Sequence, residues 1–165
     1  MTADAPQPRR APFDGAAYAI PHPQPFLCDL RIGSASVSRA VEHVSNVEYL
    51  RWLDRAAELH ADALGFTRGS LLARGVMWFV ARHEIDYLAE ARPGDELVLA
   101  TWVRSMQRVK SWRDTLMVRP ADGTVVCRAA TLWVLVDLAT RRPTRIDPDM
   151  ARGFAALDSQ PCTSR

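Results

Sequence analysis

One stretch of the sequence, residues 39–64, has the only sustained helical period in the chain. From Val47 onward its charged residues recur at intervals of three and four, which places them on one stripe of a helix. These residues are Glu48, Arg51, Arg55, Glu58 and Asp62. Almost every other position is apolar, so the apolar arc is wider than that of an ordinary surface helix. We therefore expect a helix over residues 47–64 that the rest of the chain largely encloses.

Both ends of this helix carry recognisable signals. Ser45 or Asn46 is a suitable N-cap, and Glu48 follows Ser45 by three residues, as in a capping box. Gly65 comes directly after the helix and can take the left-handed conformation that often ends one. The first backbone N–H groups of a helix have no partner within it and carry partial positive charge. These groups point toward the residues around His43.

Composition excludes several classes of protein. The chain has 165 residues with 48% hydrophobic content, which suits one globular domain with a sizeable core. Its net charge of +2, from 21 basic and 19 acidic residues, argues against nucleic acid or an anionic membrane surface as a partner. No apolar run is long enough to span a membrane, and the N-terminus lacks the apolar segment of a secretory signal. The three cysteines form neither a disulfide framework nor a zinc-ligand spacing, so we expect a cytoplasmic protein.

The other segments alternate between apolar and polar residues, as strands do. Strands are predicted over 26–37, 76–88, 97–103, 111–119 and 125–137. Residues 66–75 and 105–110 are interpreted as connections, and Pro93-Gly94 and Asp122-Gly123 as turns. The order of elements predicts an α+β fold in which an antiparallel five-stranded sheet wraps around one long central helix.

Three regions are expected along the chain. Residues 1–25 are rich in proline and alanine and predict a disordered or extended arm. The folded domain is placed at 26–150, and residues 151–165 form a C-terminal tail that begins near a short helix. The sheet must leave edge strands, which commonly pair with a second copy of the chain. We therefore expect a homodimer or a homotetramer.

Three segments resemble the hotdog-fold acyl-CoA thioesterases, in particular the 4-hydroxybenzoyl-CoA thioesterase-like group that includes long-chain acyl-CoA thioesterases. They are EHVSNVEYLRWLDRA at 42–56, IDYLAEARPGDEL at 85–97 and LWVLVDLATRRP at 132–143. The resemblance covers residues 26–148 and implies hydrolysis of an acyl-CoA thioester to a free acid and coenzyme A, without a metal or redox cofactor. It also implies a pocket at a dimer interface, where the helix N-terminus faces the thioester carbonyl and stabilises the oxyanion.

The catalytic candidates implied by the resemblance are His43, Glu42 and Asn46. Many relatives have an aspartate four residues before the histidine, but this chain has Arg39 there. A guanidinium neither accepts a proton nor attacks a carbonyl. Glu42 or Glu48 then takes over the carboxylate role, or His43 activates water alone. Alternatively, the chain binds an acyl thioester without hydrolysing it. A hotdog hydratase or dehydratase is a third alternative, and it needs an Asp–His pair that the helix does not offer on one face.

The candidate substrate-binding residues are Tyr49, Arg39, Arg108, Lys110 and Arg113. The basic residues among 104–113 are suited to the phosphates of coenzyme A, although a solvated hairpin is the simpler explanation for them. Tyr49 lies on the helix, where an aromatic residue is more often part of the core than a ligand contact.

Overall fold

The structure is a computed structural model that describes residues 4–37 and 43–159. Its α-helices are α1 (Asn46–Ala63), α2 (Arg68–Ala73) and α3 (Pro148–Gly153). Its strands are β1 (Gln7–Pro8), β2 (Phe26–Arg31), β3 (Val76–Tyr87), β4 (Glu96–Gln107), β5 (Lys110–Arg119), β6 (Thr124–Asp137) and β7 (Arg142–Pro143). Three short 3₁₀ segments complete the described elements, at Ala16–Tyr18, Ser34–Ser36 and Leu157–Ser159.

The strands form one sheet in the order β1-β2-β4-β5-β6-β3, and β7 pairs with β6. The pairing of β2 with β4 is antiparallel and runs from Phe26 opposite Thr101 to Arg31 opposite Glu96. The predicted α+β architecture, with one long helix and an antiparallel sheet, is confirmed. The count of five strands is wrong, because the sheet has seven. The two additional strands each contain two residues, one of them proline, and so short a pairing leaves no period in the sequence.

Helix α1 confirms the expectation for residues 47–64 to within one residue at each end. Its polar stripe holds two ion pairs, Arg51–Glu48 at 2.8 Å and Arg55–Glu58 at 2.6 Å. At the C-terminal end, Gly65 has a φ of 83°, as the predicted left-handed cap requires. The N–H of Gly65 donates to the carbonyl of Asp62 at 3.0 Å, and the N–H of Phe66 donates to that of Ala61 at 2.9 Å. These bonds satisfy carbonyls that would otherwise lack partners.

The contacts divide the chain into two compact units, and each of the strands β3–β6 contributes residues to both. The first unit comprises residues 1–60, 85–101 and 115–129. In its core the buried face of α1, including Trp52 and Ala56, packs with residues of β2, β4, β5 and β6. Six of the 18 residues of α1 are buried, whereas Val47 and Leu50 of the predicted apolar arc are exposed, so the helix is enclosed on one face and less widely than the arc predicts.

The second unit comprises residues 61–84, 102–114 and 130–165. Its core contains Leu71 of α2, Leu135 of β6 and Met150 of α3. The rings of Phe66 and Phe154 stack with centroids 5.5 Å apart. Phe154 and Ala156 are buried in this core, so the boundary drawn at residue 150 falls inside α3 and the chain beyond it continues to pack.

Two segments interpreted as connections contain regular structure. Residues 66–75 include α2, whose N-cap Thr67 accepts a hydrogen bond from the N–H of Ser70 at 3.1 Å. The segment 105–110 is mostly strand, because β4 continues to Gln107 and β5 begins at Lys110. A turn at residues 108–109 joins them, and the mostly polar residues before it concealed the last four residues of β4. Conversely, the strand predicted over 26–37 ends at Arg31.

The described part of the N-terminal arm packs on the first unit. The carboxylate of Asp4 accepts hydrogen bonds from the Gly33 N–H and the Ser36 hydroxyl, both at 2.6 Å. The indole N–H of Trp52 donates to the Asp4 carbonyl at 3.1 Å. Residues 7–8 are extended and pair with β2, so the arm covers one edge of that strand.

Candidate functional site

The segment that leads into α1 is held by main-chain hydrogen bonds on both sides. The N–H of Val44 donates to the Ala91 carbonyl at 3.1 Å, and the N–H of Ser45 donates to the Ser36 carbonyl at 3.0 Å. The helix then begins at Asn46, which is exposed, while His43 is half-buried. This arrangement presents the positive end of α1 at a defined position three residues after His43.

The loop that contacts this segment is residues 88–95, called here the 88–95 loop. The N–H groups of Leu88 and Ala89 both donate to the Val126 carbonyl, at 2.9 and 3.2 Å. Gly94 has a φ of 91°, which confirms the turn predicted at Pro93-Gly94. The loop is therefore anchored at both ends, and Ala91 in its middle accepts the hydrogen bond from Val44.

Glu90 brings a carboxylate to this loop. Its carboxylate pairs with Arg92 at 2.9 Å and is exposed to solvent. The hydrogen bond and positive charge of Arg92 lower the pKa of Glu90, and the charge of His43 contributes in the same direction. Glu90 is thus ionised at neutral pH and lies within electrostatic range of His43, next to the residue that bonds to Val44.

The residue types at this site define its possible chemistry. An ionised carboxylate accepts a proton from water, and an imidazole orients or exchanges one. A helix N-terminus stabilises negative charge on a neighbouring oxygen. The described residues 4–37 and 43–159 contain no group of three or more metal-ligating side chains that could hold a metal ion.

Tyr49 lies in the core of the first unit. It contacts Trp52 and Tyr87, with ring centroids 5.2 and 5.0 Å away. Burial raises the pKa of Tyr49 to about 12, so its phenol is neutral at physiological pH. Burial likewise raises the pKa of the Cys127 thiol to about 12, which makes it a poor nucleophile. The position of Tyr49 fits the interpretation as a core residue better than a ligand contact.

A cavity of about 320 Å³ lies beside the first turns of α1 in the first unit. It is lined by residues 4–6 of the arm, Ala35 and Ser36, and by Glu48, Arg51, Trp52 and Arg55. Glu48 lines this cavity and pairs with Arg51 at 2.8 Å. A capping box would direct the Ser45 N–H to this carboxylate, but that N–H donates to the Ser36 carbonyl at 3.0 Å.

The basic candidates separate into two groups within the second unit. Arg108 forms the β4–β5 turn with a φ of 48°, and Lys110 follows it; both are exposed. The Arg108 carbonyl accepts from the Ile146 N–H at 2.7 Å, which fixes the turn. Arg113 is only 6% exposed and its guanidinium lies 5.7 Å from the ring centroid of Phe154. Arg113 is therefore not part of the exposed pair.

Arg39 and Glu42 lie outside the described residues, so their places relative to His43 rest on the sequence alone. The hydrogen bond between Val44 and Ala91 places the segment of His43 against the loop that carries Glu90, a residue that the sequence did not single out. Glu90 belongs to the quoted segment IDYLAEARPGDEL, and that was the only signal for it. Its proximity to His43 depends on the contact between Val44 and Ala91, which no sequence period reveals.

Comparison with known proteins identifies the family. The profile of the thioesterase-like superfamily matches residues 28–154, more than half of the chain. The chain therefore belongs to the thioesterase-like superfamily, and the predicted hotdog fold is confirmed. An oleoyl-acyl carrier protein thioesterase of Arabidopsis thaliana chloroplasts is 28% identical over 97 residues, which are 55% of this chain and 27% of that protein. The chain thus spans only about a quarter of the length of that relative.

Solved structures share the fold at low sequence identity. A 1,4-dihydroxy-2-naphthoyl-CoA thioesterase from Synechocystis superposes with a TM-score of 0.74 at 17% identity, over 83% of this chain and 100% of that one. A Staphylococcus aureus protein in complex with CoA gives a TM-score of 0.77 at 15% identity, over 86% of this chain and 89% of that one. Within the described ranges, no helix is long and apolar enough to cross a membrane.

Proposed function

We propose that the protein is a thioester hydrolase that cleaves an acyl-CoA to a free acid and coenzyme A. The observation that carries this proposal is the main-chain hydrogen bond through which the segment of His43, at the start of α1, contacts the loop that carries the ionised carboxylate of Glu90. Membership of the thioesterase-like superfamily supports the reaction class. Function resides in the site more than in the fold, so the proposal depends on these three groups.

In the proposed reaction, a water oxygen attacks the thioester carbonyl carbon. Glu90 accepts a proton from that water, directly or by way of His43. The carbonyl oxygen becomes an oxyanion, which the amides at the start of α1 and the side chain of Asn46 stabilise. The C–S bond then breaks, and the proton is returned to the departing sulfur. Arg39 needs no catalytic role here, because Glu90 supplies the missing carboxylate.

The test is release of free thiol from a panel of thioesters with acyl-CoA, acyl-acyl carrier protein and acyl-N-acetylcysteamine members. We expect turnover of at least one acyl-CoA in the range of typical enzymes, about 1–10³ s⁻¹. A folded protein that binds acyl-CoA but hydrolyses no member would instead identify a non-catalytic acyl-thioester-binding protein. Turnover of acyl-acyl carrier protein alone would support thioester hydrolysis but identify acyl carrier protein, and not coenzyme A, as the carrier of the acyl group.

Coenzyme A is the proposed carrier because Arg108 and Lys110 offer exposed cations for its phosphates. The names of the compared proteins include both carriers, CoA for the Synechocystis enzyme and acyl carrier protein for the Arabidopsis one. No ion pair with a carboxylate engages Arg108 or Lys110 among the described residues, so both cations remain available for phosphate.

Replacing both residues, as Arg108→Gln/Lys110→Gln, is expected to raise KM for acyl-CoA about tenfold or more, since a charged hydrogen bond contributes about 1.5–3 kcal/mol. The phosphates lie far from the reacting carbonyl, so kcat stays unchanged. Steady-state kinetics with acyl-CoA and acyl-N-acetylcysteamine measure this, because the second substrate has no phosphate. The matched control is Arg128→Gln, an exposed arginine of the first unit. An equal rise in KM for both substrates would show that Arg108 and Lys110 do not bind the phosphates.

The active form is proposed to be a homodimer, with a homotetramer as the larger alternative. Strand β3 is the last strand in the order of the sheet, so one of its edges has no neighbour among the described strands. Phe79 and Val80 are adjacent on β3 and point to opposite faces, yet both are exposed. A second copy would cover this apolar edge. Cys127 is a buried thiol outside any disulfide, which fits the cytoplasmic location that we also propose.

A further inference from the structure

Arg119 is the centre of a hydrogen-bond cluster in the first unit. Its Nη1 donates to the Asp95 carboxylate at 2.9 Å and to the Glu90 carbonyl at 3.1 Å. Its Nε donates to the Asp122 carboxylate at 3.0 Å. One guanidinium on β5 therefore binds the main chain at Glu90 and a side chain at the far end of the 88–95 loop. The Asp95 carboxylate also accepts from the Arg92 N–H at 3.0 Å, which closes the loop on itself.

The same loop continues the connection to the start of α1. Ala91 follows Glu90 directly, and its carbonyl accepts the hydrogen bond from Val44 at 3.1 Å. Ala91 and Val44 are each 1% exposed, so this hydrogen bond is shielded from water and stronger than an exposed one. A displacement of Glu90 thus moves Ala91, and with it the segment that carries His43.

The geometry points to Arg119 as a positioning residue that holds Glu90 and His43 in register for thioester hydrolysis. This inference rests on the proposed function, since it names what aligns the groups of that site. Arg119 reaches the site through the Glu90 carbonyl and not through its carboxylate, which pairs with Arg92. The planar guanidinium donates in several fixed directions at once, and lysine cannot reproduce that fork.

The test compares Arg119→Gln with Arg82→Gln as the control. Arg82 also pairs with a glutamate, Glu84 at 2.9 Å, but it lies on β3 outside the site. For folded Arg119→Gln we expect kcat to fall about 10- to 100-fold with KM changed less than about twofold, because small misplacements of reacting groups cost about that much. Arg119→Lys recovers part of the loss, and Arg82→Gln leaves kcat unchanged.

A double-mutant cycle separates positioning from general destabilisation. If Arg119 acts through Glu90, then Arg119→Gln lowers kcat by less than about twofold in a Glu90→Gln background, since the two changes affect one step. Asp95→Asn keeps an acceptor on the loop but removes the charge that strengthens its hydrogen bond to Arg119, so it is expected to lower kcat in the same direction and provides a second variant if Arg119→Gln does not fold. If the fold-loss of kcat in the double variant equals the product of the losses in the two single variants, the inference is overturned.

A readout that does not need activity distinguishes this inference from the proposed function. The ring resonances of His43, assigned with His43→Ala, are expected to move in Arg119→Gln and Asp95→Asn and to stay in place in Arg82→Gln. If the wild-type protein hydrolyses no thioester, the proposed function is wrong, but a shift of the His43 resonances in Arg119→Gln would still show the structural link between Arg119 and His43. If the wild type is active and Arg119→Gln leaves both kcat and the His43 resonances unchanged, the proposed function stands and the positioning role of Arg119 is wrong.

Discussion

Glu90→Gln is expected to lower kcat for the best acyl-CoA substrate by about 10²–10⁴-fold, the usual contribution of a general acid or base. Glutamine keeps the size and the hydrogen-bonding capacity of the side chain but cannot accept a proton from water. Because the Glu90 side chain is exposed, its replacement has little effect on the stability of the fold. KM and the unfolding temperature should therefore change only slightly. Steady-state kinetics and thermal unfolding measured on the same preparation test this.

Glu84→Gln is the matched control for this variant. Glu84 and Glu90 are both exposed, and each pairs with an arginine two residues away at 2.9 Å. Only Glu90 lies on the loop that bonds to the segment of His43. Glu84→Gln should therefore retain wild-type kcat, whereas equal losses in the two variants would point to a general effect of surface charge. Wild-type activity in Glu90→Gln would return the catalytic role to Glu42 or to His43 alone.

The sequence predicted the parts of the fold that carry a period. The polar stripe of α1 and the glycine after it are read directly from spacing, and the structure confirms both. Strands β3, β5 and β6 were found to within one residue at each end for the same reason. Local chemistry also predicted the turns at Pro93-Gly94 and Asp122-Gly123, because glycine accepts positive φ without strain.

Elements without a period or a turn signature were missed. Helix α2 has six residues, too few for an amphipathic pattern to emerge. The end of β4 was interpreted as a connection, because its polar residues resemble a loop. The turn there places Arg108 in a left-handed conformation that sequence statistics assign mainly to glycine and asparagine.

Only the part of the proposed site that lies at the start of α1 was predictable from the sequence. His43 and Asn46 precede or begin a helix, so local rules locate them. Glu90 is separated from His43 by 46 intervening residues, and only tertiary hydrogen bonds bring the two segments together. The missing carboxylate was therefore sought near Arg39, within the same motif. A site assembled from distant segments cannot be completed by reading one motif.

The remaining large effect concerns the edge of the sheet. Phe79 is 44% exposed on β3, although large apolar side chains are usually inside. If a second copy covers this edge, a two-fold axis makes each residue contribute twice to the interface. An arginine there would bury two unpaired charges, and the cost of several kcal/mol per buried ion exceeds what most added contacts recover.

Phe79→Arg is therefore expected to convert the dimer to a monomer at micromolar concentrations, since each 1.4 kcal/mol weakens association about tenfold. Sedimentation velocity from about 1 to 100 µM measures this, because typical specific dimers dissociate below that range. Leu72→Arg is the control: Leu72 is 52% exposed but lies on α2 and not on β3. Leu72→Arg is expected to remain dimeric. A Phe79→Arg protein that stays dimeric would move the interface to another surface, and a fully active monomer would show that one chain is sufficient for the reaction.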